Sequence, residues 1–295
     1  MGSKRYLPIC LPVLTAAFFL GGCAEIVLFQ PRGPVGASER TLIIVALLLM
    51  AIVVIPVFIM TFRFSRKYRA SNTNAPYAPR WSYSATIDAI VWLVPVCIIM
   101  ALGYLSWTRT HSLDPHKPIE PGVRPVIIEA VSLDWKWLFI YPQYDIAAVN
   151  RLVFPANVPL SFRITSDTVL TSFFIPQLGS QIYAMTGKQT LLHLMADRPG
   201  VYDGHNQQFS GAGYPEMHFK AIAVPGQEFD AWVQKTRQAQ GRLDPARFRE
   251  LEKPTMGYPV TYFSSVEHGM FDYVLEKNSR PPAVGPDRAR TDKGS

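Results

Sequence analysis

The stretch TLIIVALLLMAIVVIPVFIMTF, residues 41–62, runs for 22 residues without a charge. At about 1.5 Å rise per residue, a helix of that length reaches roughly 30 Å, the thickness of a bilayer core. A second run, AIVWLVPVCIIMALGYLSWT at 89–108, is 20 residues long and also uncharged. Buried helices of soluble proteins are rarely so uniformly apolar, so both are predicted as transmembrane helices, a hairpin over residues 41–109. Pro56 and Pro95 lie inside the spans and predict kinks, which membrane helices tolerate when neighbours re-satisfy the freed backbone. Trp81, Trp92, Tyr104 and Trp107 lie on or near the second span, and the outer ones suit the interfacial belts.

The segment between the spans, residues 63–80, carries Arg63, Arg66, Lys67, Arg69 and Arg80 and no acidic residue. By the positive-inside rule it is a cytoplasmic loop, and everything after about residue 109 faces the periplasm. The N-terminus gives the same topology. Lys4-Arg5 precedes an apolar run from Leu7 to Leu20, which describes a secretory signal over residues 1–22. The ending LGGC resembles the lipobox of bacterial lipoproteins. On that reading Cys23 becomes the first mature residue and carries acyl chains such as palmitate, strengthening membrane attachment. Residues 23–40 are then a periplasmic N-terminal segment. The alternative is an ordinary signal or anchor with a chance cysteine. Either way the sequence predicts a multi-pass protein of the bacterial inner membrane.

The hydrophobic content of 48% and mean hydropathy of +0.10 agree with membrane segments. The formal charge of +7 is unevenly placed: residues 1–109 hold ten Lys/Arg against three Asp/Glu, and residues 110–295 hold nineteen of each. The C-terminal part is therefore neutral, which argues against a nucleic-acid surface. The cysteines are Cys10, Cys23 and Cys97, with none later. The C-terminal part can hold neither a disulfide framework nor a thiolate metal site.

From residue 124 to 225 the texture changes to short strands, among them PVIIEAVS, WKWLFIY, VPLSFRITS and MHFKAIAV, with Pro, Gly and Asn turns between them. About a hundred residues of this kind predict a small antiparallel sandwich or barrel. Beyond it, 227–240, 245–252 and 265–277 read as short helices of a C-terminal arm over 226–278. The tail, 279–295, is rich in Pro, Arg and Asp and reads as disordered. The fold class is thus a membrane α-helical hairpin of two transmembrane helices plus an all-β periplasmic sandwich with short C-terminal helices.

One stretch of the β-region, GHNQQFSGAGYPEM at 204–217, has the composition of a metal loop. Soft redox copper sites in β-sandwiches use a cysteine thiolate, two histidines and a weak axial ligand. No thiolate is available, although His205, Met217 and His218 could hold copper without one. The competing reading makes His205 a turn residue, sets His218 and Phe219 on opposite faces of a strand, and places Met217 in the core.

The stretches VSLDWKWLFIYP (131–142), FPANVPLSFRITSDTVLTSFFIPQLGSQIYAM (154–185) and RPGVYDGHNQQFSGAGYPEMHFKAIA (198–223) resemble subunit II of the haem–copper oxidases. Within that superfamily they are nearest the cytochrome bo-type ubiquinol oxidases, and the resemblance runs from the lipobox to about residue 277. It implies a cupredoxin-like fold for residues 124–225. In the cytochrome c oxidase branch this loop carries a dinuclear copper centre through C-x-E-x-C-x-x-x-H-x-x-M and an upstream histidine. Laid on this chain, the cysteine places fall on Asn206 and Ser210, and the glutamate place on Gln208. The histidine places fall on Tyr214 and Thr171, and only the methionine place, Met217, keeps its residue type.

The resemblance therefore implies a subunit without its own metal or redox centre, in a proton-pumping complex that oxidises ubiquinol and reduces dioxygen to water. Haems and a copper are expected in subunit I, the main partner, beside subunits III and IV and membrane lipid. Cytochrome c is not an expected partner, and the neutral charge balance fits, because a basic cytochrome favours an acidic face. Asp88, at the cytoplasmic start of the second span, resembles the acidic entrance of a proton channel. Its alternative is a helix-end carboxylate complementing the dipole and Arg80. Trp135 and Trp137 resemble an aromatic patch of the cytochrome c branch, or else serve packing. Two rivals remain: subunit II of a cytochrome c oxidase with a copper centre, and a free-standing copper-delivery or structural lipoprotein of the periplasm.

Overall fold

The structure, a computed structural model, describes residues 26–76, 80–120 and 122–279. The predicted signal segment, Cys23 and the tail from residue 280 lie outside the described residues. Two long helices come first, α1 (Pro34–Lys67) and α2 (Ala85–Ser112). Their large side chains, among them Leu48, Phe58, Trp92 and Ile99, are exposed. A helix apolar on every face has no stable place in water, so both must be covered by lipid or protein.

The helix α1 is longer than its uncharged run. It begins at Pro34, where the missing N–H falls on a position without an intrahelical partner, and it ends on Arg66 and Lys67, which complement the C-terminal dipole. Hydropathy marks only the lipid-facing length, whereas Ser38, Glu39 and Arg40 extend the helix because their backbone can. This first turn docks onto the β-domain. The amide of Gly36 donates to the Leu178 carbonyl at 3.0 Å, and that of Arg32 donates to the Gln177 carbonyl at 2.7 Å. A side chain at Gly33 would collide with the Met195 carbonyl, so the backbones meet only because residue 33 is glycine.

The domain pairs a large sheet with a small one. The large sheet holds β1 (Val126–Leu133), β2 (Lys136–Tyr141), β3 (Ile146–Val149), β5 (Leu160–Ser166), β8 (Thr190–Leu194) and β12 (Thr261–Phe263), in the order β12-β3-β2-β1-β5-β8. The small one is ordered β4-β10-β9, from β4 (Arg151–Pro155), β9 (Gly200–His205) and β10 (His218–Val224). Two short ribbons complete it: β6 (Thr171–Phe173) with β7 (Ile182–Ala184), and β11 (Arg242–Leu243) with β13 (Ser265–Val266). The predicted antiparallel sandwich needs correction, because β1 pairs with β5, and β4 with β10, in parallel. Turn residues announce hairpins, but nothing local announces a pairing between strands distant in sequence.

The core follows from period-2 alternation. Trp137, Phe139 and Tyr141 of β2 point between the sheets, where Phe173 and Phe219 stack at 5.3 Å and Phe139 meets Phe219 edge-on at 5.0 Å. Leu138 and Ile140 point to the other face and are buried beneath the C-terminal arm by Phe248, Phe263 and Phe271. Strand β2 is thus buried on both sides. The arm carries α3 (Gly226–Arg237), α4 (Pro245–Leu251) and α5 (Met270–Ser279). The helix predicted from residue 265 begins only at Met270, after Gly269 at φ 78°, because Ser265 and Val266 join a strand pair instead.

Candidate functional site

The loop between β9 and β10 is held by one amide. Asn206, 4% exposed, accepts through Oδ1 from the backbone N–H of Ser172 and of Gln208, both at 2.9 Å. Its Nδ2 donates to the Gln208 carbonyl at 2.8 Å, to Ser210 Oγ at 3.2 Å and to Met217 Sδ at 3.2 Å. Ser172 Oγ takes the Gln207 amide at 2.8 Å. An asparagine carries two acceptor sites and two donors, and here both kinds are engaged.

Of the six positions that the resemblance singles out, Asn206, Ser210 and Met217 converge, and Gln208 joins them through its backbone. Two others turn away. Thr171 is buried and gives its hydroxyl to Ser132 Oγ at 2.7 Å, and Tyr214 lies in a short 3-10 turn with its ring 5.8 Å from that of Phe209. The donor set does not fit a copper ion, because an N–H of Asn206 is aimed at the one retained sulfur. Among the described residues no group of three or more His, Cys, Asp or Glu is placed to hold a metal.

His205 sits elsewhere, opposite His218 across the β9–β10 pair. Burial holds its imidazole below the ordinary range, with His218 and Lys220 acting in the same direction and Asp203 opposing them. Trp135 and Trp137 do not share a surface. Trp137 is fully buried in the core, while Trp135 occupies the β1–β2 turn at φ 63°, a conformation that costs a non-glycine residue about 1–2 kcal/mol. That cost is offset by the loop it covers. Its Nε1 donates to the Ser210 carbonyl at 2.8 Å, and its ring lies against Gly211 and Gly213. Asp88 occupies the first turn of α2, exposed, with neither Arg80 nor another described residue paired to its carboxylate.

Sequence reasoning passed over Ser172 and Ser132, ordinary serines whose hydroxyls complete the loop network. It also passed over Lys136, fully buried, whose Nζ donates to the carbonyls of Lys253 at 2.9 Å and Asp134 at 3.2 Å.

Comparison with known proteins gives these residues a family. The family described as "Cytochrome C oxidase subunit II, periplasmic domain" matches residues 143–227, and "COX Aromatic Rich Motif" matches 237–281. The cytochrome bo(3) ubiquinol oxidase subunit 2 of Pseudomonas aeruginosa is 54% identical, over 90% of this chain and 80% of its own length. The ubiquinol oxidase subunit 2 of Acetobacter aceti is 47% identical, over 90% of this chain and 86% of its own. The crystal structure of the periplasmic domain of cytochrome oxidase subunit II from Bradyrhizobium japonicum aligns with 37% of this chain and 91% of its own, at 22% identity and a TM-score of 0.37. The chain belongs to the bo-type ubiquinol oxidase subunit 2 family of the haem–copper oxidases.

Proposed function

We propose that this chain is the copper-free subunit II of an inner-membrane complex that oxidises ubiquinol and reduces dioxygen, with the haems and copper held in subunit I and subunits III and IV beside it. The observation that carries the reading is the Asn206 network. It fills the ligand-bearing loop with hydrogen bonds, so the loop keeps its shape without an ion. Electrons drawn from a membrane quinol need no relay through this domain. The chain's own contribution is then mechanical: α1 and α2 pack on subunit I, and the β-domain caps it on the periplasmic side. Residues 23–40 lie on the same side, and Cys23 anchors the N-terminus by acylation. Asp88, at the cytoplasmic end of α2, marks the proton entrance. That its carboxylate is unpaired among the described residues supports that role over a helix-end pair with Arg80.

Copper loading of the full chain in detergent tests the reading. The expected result is no stoichiometric copper and no near-infrared absorption. One or two tightly held copper ions per chain with such a band would restore the copper-relay alternative.

A further inference from the structure

A cavity of about 460 Å³ lies where the domain-side ends of α1 and α2 meet the β-domain, just beyond the apolar spans. Four charged side chains line it: Glu39 of α1, Arg109 of α2, and Asp114 and Lys117 of the following linker. Their formal charges cancel. Glu39 accepts through Oε1 from the backbone and hydroxyl of Ser180, and its second oxygen has no partner among the described residues. Asp114 is taken by His116, at 3.0 Å to the backbone and 3.1 Å to the ring. Among the described residues Lys117 makes one side-chain hydrogen bond, to the His111 carbonyl at 2.7 Å, which leaves two of its donors. Arg109 is half-buried as a residue, and its guanidinium has no hydrogen-bond or ion-pair partner among the described residues. Leu42 and Leu113 add apolar wall.

We propose that this cavity binds the headgroup of a zwitterionic phospholipid of the phosphoethanolamine type, its phosphate on Arg109 and Lys117 and its ammonium on Glu39. Position is the first argument. The cavity stands at the depth of lipid headgroups, so acyl chains attached to an occupant can follow the apolar helices downward. Charge is the second. A guanidinium fork matches phosphate oxygens, and that of Arg109 is left without a partner among the described residues. The two carboxylates beside it select against a headgroup that is only anionic, and they suit one carrying an ammonium as well. Size is the third: about 460 Å³ falls in the range of small-molecule sites. A lipid held here joins both helices and the linker to the domain, fixing the domain's height above the bilayer. The inference rests on reading α1 and α2 as membrane spans and not on the copper-free reading, so the copper-loading test can fail while this one succeeds.

The test uses the full chain in its native complex, reconstituted in nanodiscs of phosphatidylethanolamine and phosphatidylglycerol. A photoreactive phosphatidylethanolamine, labelled next to the phosphate, is expected to mark peptides covering residues 106–119 and 180–193. Unlabelled phosphatidylethanolamine should suppress that labelling several-fold, while phosphatidylglycerol and inorganic phosphate should not. Labelling absent from these peptides, or equal competition by phosphatidylglycerol or phosphate, overturns the proposal. Native mass spectrometry supplies a second readout. Arg109→Gln should lose one retained phosphatidylethanolamine per complex and Arg109→Lys should keep it; unchanged retention in Arg109→Gln overturns the proposal. Should Arg109→Gln fail to assemble, the crosslinking of the unaltered complex decides alone.

Discussion

Replacing Asn206 by alanine removes the one acceptor shared by the buried amide of Ser172 and the half-buried amide of Gln208, each 2.9 Å from Oδ1. A buried donor left unpaired costs about 1–3 kcal/mol. The buried Ser172 amide and the half-buried Gln208 amide, the second partly relieved by water because its neighbours Gln207 and Phe209 are exposed, together cost roughly 2–4 kcal/mol. At about 1.4 kcal/mol per factor of ten, the open loop becomes about 30-fold to 700-fold more populated. Amide hydrogen exchange on the detergent-solubilised chain reads this directly, as a loss of protection at Ser172 and Gln208, together with a lower melting temperature. Asn206→Asp is the control. It keeps the acceptors but sets a carboxylate oxygen against the Gln208 carbonyl and Met217 Sδ, so it should destabilise the domain while both amides stay protected. Full protection at Ser172 and Gln208 in Asn206→Ala would refute the argument that this side chain holds the loop.

Three further outcomes follow from the geometry. Gly213→Ala places a Cβ within clash distance of the Trp135 indole, so the ring must leave the Ser210 carbonyl; an overpacking cost of about 1–3 kcal/mol and a red-shifted tryptophan emission are expected. His205 is held below its unfolded value near 6.5, so the folded state binds fewer protons than the unfolded one between the two values. Its contribution is present above about pH 6.5 and is lost as pH falls through the folded pKa; thermal melts of His205→Gln should show a shallower acid-side decline, and parallel curves would exclude this role. Asp88→Asn should slow oxygen consumption and proton release by the reconstituted complex, with Asp88→Glu retaining both. Normal turnover in Asp88→Asn would reduce the residue to a helix-end charge.

Which parts of this could be read from residues alone depends on where the deciding physics lies. Lipid imposes composition residue by residue, so TLIIVALLLMAIVVIPVFIMTF declares a span without any knowledge of its neighbours. Its helix nonetheless begins at Pro34, because the extra turn is fixed by the close approach of Gly33 and Gly36 to residues 177, 178 and 195. Alternation in KWLFIY marked a strand. That both its faces are buried depends on Phe248, Phe263 and Phe271, more than a hundred residues further along. Lys136 shows the same limit: lysine reads as a surface residue, and its burial is made tolerable by the neighbouring Asp134 carbonyl together with the arm's Lys253 carbonyl and the Tyr258 ring, 5.2 Å from its Nζ.

The sequence by itself determined that this loop lacks thiolates, since that is a matter of which residues exist after Cys97. It also carried the family, through long aromatic-rich stretches that resemble one another position by position. Tertiary structure alone decided what replaced the ligands. Asn206 became the hub, Thr171 turned to Ser132, and Tyr214 turned to Phe209, because hydrogen bonds are satisfied by distance and direction rather than by spacing along the chain. The same holds for the cavity between the helix ends and the β-domain, whose four charges come from residues 39 to 117 and meet only after the helices and the β-domain are docked.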